Sequence, residues 1–173
     1  VWREQLQGIA QSQERASRLM DQLLALALAD EAKQHLALER VNLSLVVQDS
    51  VLRHLPRADS LHVDLGAQGV EAPVWVMGQQ ALIEGVLNNL LDNALKYSAS
   101  NSRVTLRLSK TAGLVSFTVV NDLGNTPAPS PDEVFTKFHR GPGTAAIAGT
   151  GLGLYLVQTI ARLLGGQVTY NSD

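Results

Sequence analysis

Cysteine is absent from the 173-residue sequence, which removes disulfides, zinc–thiolate sites and cysteine nucleophiles from consideration. An excess of positive charge is absent too. Fourteen basic residues face sixteen acidic ones, a net charge of −2, which argues against broad binding to the phosphate backbone of DNA or RNA. No apolar run approaches a bilayer span: LLALALA, residues 23–29, falls far short of the roughly 20 residues a crossing helix needs. No secretory signal pattern opens the chain. What is present, 45% hydrophobic and 17% charged residues, describes an ordinary folded chain and excludes disorder, low complexity and collagen-like repeats. The opening VWREQ carries no initiator methionine and reads as part of something longer.

Apolar periodicity organises the rest. Residues 3–29 read as a long helix in which Ile9, Ala16 and Leu23 recur at intervals of seven, as do Leu6, Gln13, Met20 and Ala27. This is a narrow seam of the kind used either against a partner helix or against the helix's own domain. The polar stretch 30–42 reads as a linker. A second helix is expected from Ser44, as N-cap, to about Leu55, with Pro56 beyond its end. Short strands are expected at 61–65 and 74–76, a long helix over 79–97, a hairpin at 103–109 and 114–120, a helix over 151–164 ended by Gly165 and Gly166, and a last strand at QVTY. The order predicts an α+β fold, a two-layer α/β sandwich with a mixed sheet and helices on one face, preceded by a long coiled-coil-like helix. Its divisions are 1–30, a linker at 31–42 and a second unit at 43–173. Residues 122–148, rich in Gly, Pro, Ala and Thr, make a loop long enough to be either a functional lid or disordered.

The run GTGLGLYLV, residues 149–157, puts glycines at every second position before an apolar helix. It is not a dinucleotide fingerprint, which needs a preceding strand and G-x-G-x-x-G spacing, and no Walker pattern is present. A loop feeding a helix N-terminus remains. Gly149, Gly151 and Gly153 would allow close approach while the first helical amides point outward at a phosphate chain. Tight packing of helix on sheet is the alternative.

The second chemical element is NNLLDNALKYS, residues 88–98. At helical spacing Asn89, Asn93, Lys96 and Tyr97 share a face, and Ile83, Leu87, Leu90, Leu91, Ala94 and Leu95 cover the other. Asparagine is a poor residue for a helix interior, so two of them one turn apart call for a reason. An amide oxygen is a hard ligand suited to Mg²⁺, which takes few protein ligands and relies on substrate phosphates for others. A nearby lysine would offset phosphate charge. A solvated polar face is the competing reading.

NLLDNALKY resembles the N box of sensor histidine kinases, NDLGN (121–125) their G1 box, VFTKFHRG (134–141) their F box and GTGLGL their G2 box, in that family's order. SQERASRLMDQLLALA is similar to the second helix of the dimerisation and histidine-phosphotransfer hairpin. The resemblance extends over essentially the whole chain and implies a Bergerat-type ATP-binding fold. It implies that Asn93 binds Mg²⁺, that Asn89 and Lys96 act at the phosphates as the catalytic pair, and that Tyr97 touches nucleotide. Asp122 would accept a hydrogen bond from the adenine amino group, with Gly124 letting the base approach. For Asp122 an ordinary Asp-x-Gly turn is the competing reading. Phe135 and Phe138 would pack the lid, Lys137 and Arg140 would reach phosphate when it closes, and Gly149, Thr150, Gly151, Leu152 and Gly153 would hold the phosphates. For Lys137 and Arg140 a solvated loop charge is the alternative.

The resemblance further implies phosphoryl transfer from Mg²⁺-ATP to a histidine, then to an aspartate on a response-regulator receiver domain. It implies a homodimer through 3–29, and a place on the cytoplasmic side of a bacterial inner membrane through a region not in this sequence. Two departures stand out. Thr126 replaces the second G1 glycine, with Pro127 and Pro129 following, which stiffens the start of the lid. None of His35, His54, His62 or His139 sits in the H-E-x-x-T/N-P-L-like setting of a phosphoacceptor. Relatives of the gyrase, Hsp90 and MutL type place a water-activating glutamate where Asn89 stands, and Glu84 is expected about 140° away toward the apolar side. A degenerate module acting only by dimerisation and partner binding is the other function class.

Overall fold

A computed structural model describes residues 37–125, 127–138 and 151–172. The 3–29 helix therefore lies outside the described residues, as do His35, Thr126, His139, Arg140, Gly149 and Thr150. The described elements are β1 (Glu39–Asn42), α1 (Leu43–Ser60), β2 (Asp64–Gln68), β3 (Trp75–Gly78), α2 (Gln80–Tyr97), β4 (Arg103–Thr111), β5 (Leu114–Asn121) and α3 (Gly153–Leu163). β1 pairs antiparallel with β3, while β4 pairs parallel with β2 and antiparallel with β5. The strands are thus mixed in direction, as the α+β reading requires.

Period-2 alternation on β4 explains the layering. Val104, Leu106 and Leu108 are buried, while Arg103, Arg107 and Ser109 face solvent. The buried set joins Leu65 of β2, Val46, Val47 and Val51 of α1, and Leu87, Leu91 and Leu95 of α2 in one core. Helices therefore cover one face of the three-stranded sheet, and a polar ladder including the Arg103–Asp64 pair at 2.8 Å covers the other. Leu91 is fully buried at the centre of this core. Its truncation, Leu91→Ala, is expected to cost about 2–5 kcal/mol, read as a fall in the urea midpoint at unchanged slope.

Several elements differ from their sequence readings. Glu39–Asn42, polar enough to read as linker, forms β1, because Val41 is buried and the ladder to β3 supplies its backbone partners. α1 begins after Asn42 rather than at Ser44. Ser44 is buried, donating its hydroxyl to the Ala72 carbonyl at 2.7 Å and accepting from the Val74 amide at 3.0 Å, which clips the 72–74 loop to the helix. α1 also runs through Pro56 to Ser60. Proline leaves the carbonyl four residues earlier without its partner, but Leu52 and Pro56 both face solvent, and burial of Val51 and Ala58 holds the helix on either side. The following strand consequently starts at Asp64, after His62 takes a left-handed turn at φ 55°. QVTY is not a strand: no described segment pairs with it, and Val168 packs instead beside Val157 and Ile160.

α2 starts without help from its N-cap. Gln79 is extended there but makes no side-chain capping bond, its Oε1 is buried without a partner, and the first turn holds no acidic residue. Gln79→Asp is expected to add about 1 kcal/mol by supplying a short acceptor to the free amides, seen as a higher urea midpoint.

Candidate nucleotide site

α2 and α3 meet through an apolar cluster of Leu82, Val86, Val157 and Ile160. That packing carries the start of α3 to the side of α2 that displays Asn89. A Cβ added to Gly153, the first residue of α3, would stand 3.0 Å from Asn89 Oδ1, so glycine is what permits this approach. The Asn89 carboxamide is itself held, since its Nδ2 donates to the Gly85 carbonyl at 2.8 Å. α3 has no side-chain N-cap, with Leu152 at the capping position, and no acidic residue in its first turn. Its leading amides therefore have no acceptor from a capping side chain, the condition under which a helix N-terminus attracts anions. Gly151 precedes it at φ 70°.

Asn93 lies one turn beyond Asn89, half-buried, and its side chain makes no hydrogen bond among the described residues. Lys96 and Tyr97 close the same face, with the Lys96 ammonium 4.8 Å from the Tyr97 ring centroid. Beyond the end of α2, the Ala99 amide donates to the Asp122 carbonyl at 2.9 Å. The Gly124 amide donates to Asp122 Oδ1 at 2.8 Å, so the Asp-x-Gly turn forms and leaves the second carboxylate oxygen without a described partner. Gly124 sits at φ 57°, and a Cβ there would come within 2.9 Å of the Ala99 methyl. From Asn89 to Tyr97, the last residue of α2, the helix rise gives about 12 Å. α2 thus has an uncapped helix terminus against Asn89, and past its last turn an Asp122 carboxylate oxygen without a partner among the described residues.

The segment 127–138 meets the residues leading into α3, where the Phe138 amide donates to the Gly151 carbonyl at 3.0 Å. Lys137 rests over the Tyr155 ring at 4.8 Å. Phe138 is largely exposed and Phe135 half-buried, while Val134 is the buried residue of the segment. Burial within this segment thus falls to Val134 rather than to Phe138.

Asp92 and Glu84, also on α2, are engaged elsewhere. Asp92, between the two asparagines, turns toward α1 and pairs with Arg57, with His54 Nε2 at 3.5 Å. His54 Nδ1 meets the Ser50 carbonyl at 2.7 Å, fixing the ring. Sequence reading passed over this clamp because its partners lie 35 residues apart. Asn88 was also unassigned, and its Oδ1 is buried without a partner. Glu84 accepts from Gln80 at the exposed surface, not on the apolar side. It still lies well away from Asn89.

The profile of the family described as histidine kinase-, DNA gyrase B- and HSP90-like ATPase matches residues 78–173, which include every element just described around the site. The chain belongs to that family. Within it, the chain is a catalytic ATP-binding domain of the sensor histidine kinase kind. It is 32% identical over 169 residues to the swarming motility regulation sensor protein RssA of Serratia marcescens, covering 96% of this chain and 35% of that protein. It therefore spans about a third of the length of such a relative. The histidine kinase AdeS of Acinetobacter baumannii shares the fold, with a TM-score of 0.74 at 22% identity over 96% of this chain and 76% of that one. So does ShkA, solved in complex with AMPPNP, with a TM-score of 0.75 at 23% identity over 99% of this chain and 36% of that one. Among the described residues no helix is long and apolar enough to cross a membrane, and no cluster of three or more His, Asp or Glu side chains could hold a metal.

Proposed function

We propose that this chain binds Mg²⁺-ATP along the face of α2 and presents the γ-phosphoryl to a histidine elsewhere in its parent protein, for relay to a response-regulator aspartate. The observation that carries the reading is the approach of Gly153 to Asn89, which brings an uncapped helix terminus against a pinned amide. The residues fit the ligand. The α3 amides with Gly151 and Gly153 would hold phosphate, the Asn93 oxygen, unengaged among the described residues, would face the metal, and the second Asp122 oxygen would accept a hydrogen bond from the adenine amino group. Bound there, Mg²⁺ would supply charge neutralisation on the transferring group. The chain's own part is positioning, which dominates phosphoryl transfer. The P–O bond to the departing ADP breaks as a P–N bond forms to the histidine. Asn89 in place of a glutamate, with Glu84 engaged elsewhere, disfavours activation of water.

On this reading residues 1–30 belong to the dimerising hairpin, 31–42 to a linker of which Glu39–Asn42 joins the catalytic unit as β1, and the parent protein sits at the cytoplasmic side of a bacterial inner membrane. The test is calorimetric titration of the chain with ADP and with a non-hydrolysable ATP analogue, each with and without Mg²⁺. Saturable binding of both is expected. Absence of binding under every condition sinks the proposal and leaves a partner-binding module with an inactivated site, as the Thr126–Pro127 departure would allow. Asp122→Ala is expected to weaken adenine nucleotides by about tenfold, the loss of one hydrogen bond to a charged group. Guanine nucleotides, which offer no amino group at that position, should bind no worse than before.

A further inference from the structure

Lys137 has a partner that the nucleotide reading leaves unused. Its ammonium lies 4.8 Å from the ring centroid of Tyr155, the third residue of α3, and it makes no ion pair among the described residues. Tyr155 is half-buried and stands apart from the apolar cluster of Leu82, Val86, Val157 and Ile160 that joins α3 to α2. At helical spacing it points roughly 150° away from the mean direction of the buried Leu156, Val157 and Ile160. The ring is therefore not held by the core, and what it meets instead is a cation.

The backbone on either side of Lys137 fixes this meeting. Val134 is buried on one side, and on the other the Phe138 amide donates to the Gly151 carbonyl at 3.0 Å, just ahead of α3. Phe138 makes that bond at φ 60° with its side chain 69% exposed. A bulky residue in the left-handed region is an outlier, and here the phenyl ring gains little burial in return. Such strain persists only where the surroundings impose it, and the described contacts at this turn are the Phe138 amide bond and the seating of Lys137 on Tyr155. Side chains on a helix lean toward its N-terminus and cover the turn ahead of their own Cα. The Tyr155 ring thus lies along the first turn of α3, where the amides of Gly153, Leu154 and Tyr155 have no acceptor among the described residues and that of Leu156 is the first to bond, to the Leu152 carbonyl at 2.9 Å. A carboxylate partner would cancel the lysine charge. An aromatic face attracts the ammonium and leaves it positive, at the end of a helix that already favours anions.

We propose that Tyr155 is a positioning residue: its ring seats the Lys137 ammonium at the start of α3, and the seated charge makes the site favour a nucleoside triphosphate over a diphosphate. The inference rests on the nucleotide reading and adds to it the residue that selects for the extra phosphoryl group. The leading amides of α3 serve any phosphate, whereas a further anionic group beside them calls for a charge of its own. The seat supplies that charge before the ligand arrives, so less side-chain freedom is lost on binding.

Titration of the 173-residue chain with Mg²⁺-ADP and with a non-hydrolysable ATP analogue tests the proposal. Tyr155→Leu is expected to weaken the analogue about fivefold and ADP less than about twofold. Lys137→Met is expected to do the same, and the double variant to lose no more than either single one, as the two halves of one contact must. Tyr155→Phe, which keeps the ring, should match the parent. Equal losses for both nucleotides overturn the proposal, as do additive losses in the double variant. A gain in analogue affinity on Tyr155→Leu overturns it too, because the ring would then be holding the ammonium away from phosphate. Lys137 is exposed, so Lys137→Met reads the selectivity even where Tyr155→Leu folds poorly. If the parent chain binds neither nucleotide, the nucleotide reading falls and this inference with it. If it binds both and the variants keep the parent's ratio of affinities, this inference alone falls.

Discussion

Gly153→Val is expected to weaken nucleotide binding by about a hundredfold, or about 2.7 kcal/mol, while leaving the fold as stable as before. The two halves of this expectation come from different physics. A Cβ at this position already stands 3.0 Å from Asn89 Oδ1, and the carboxamide cannot swing aside without losing its bond to the Gly85 carbonyl. The branched side chain therefore tilts the first turn of α3 or fills the space over its amides. Either outcome removes the alignment on which anion binding at a helix terminus depends. Helix propensity runs the other way, since leaving glycine gains up to about 1 kcal/mol. Gly153→Ala, with one carbon that a shift of a few tenths of an ångström accommodates, is expected to be intermediate. Titration of ADP against parent, alanine and valine forms, beside their urea midpoints, reads both effects. Equal affinity in all three would show that the α3 terminus does not hold the ligand.

The sequence carried these elements unequally, for physical reasons. α2 was legible because its apolar residues recur with the helical period over five turns. The β4–β5 hairpin was legible because alternation flanks Ala112–Gly113, both at positive φ. β1 was not, since its ladder is made by backbone groups and only Val41 of ERVN is deeply buried. Pro56 looked like a terminator because local propensity opposes it, and only the burial of Val51 and Ala58 shows why the helix continues. The site divided in the same way. Asn89, Gly153, Asp122 and Gly124 could be picked out by type and spacing; the structure sets Gly153 against Asn89 on α2, and Asp122 with Gly124 beside Ala99 beyond the end of that helix. Asp92 was indistinguishable in sequence from its asparagine neighbours, yet it points to Arg57 on α1, and the direction of a side chain around a helix is settled by what packs against it. This division of labour explains how the polar stretch of α2 is held: its apolar side rests on the core, Asp92 is tied to α1, and Asn93 has no partner among the described residues.

That unengaged side chain leads to the second large effect. Asn93→Ala is expected to remove the Mg²⁺-dependent part of nucleotide affinity, a loss of about ten- to a hundredfold or 1.4–2.7 kcal/mol, while binding measured in the presence of a chelator stays near the parent value. Asparagine at this position contributes no hydrogen bond to the fold among the described residues, and alanine is the better helix former by up to about 0.7 kcal/mol. The variant should therefore unfold at a higher urea concentration than the parent while losing function, the pattern of a residue kept for its site at some cost to stability. Asn93→Asp separates the two roles of the side chain. It keeps a hard oxygen for the metal and adds a negative charge facing the phosphates, so binding should become more dependent on Mg²⁺, not less. A structural asparagine predicts the opposite order, with both substitutions lowering stability and neither changing the response to Mg²⁺. Titrations of the three proteins with and without the metal, read against their urea midpoints, decide between them.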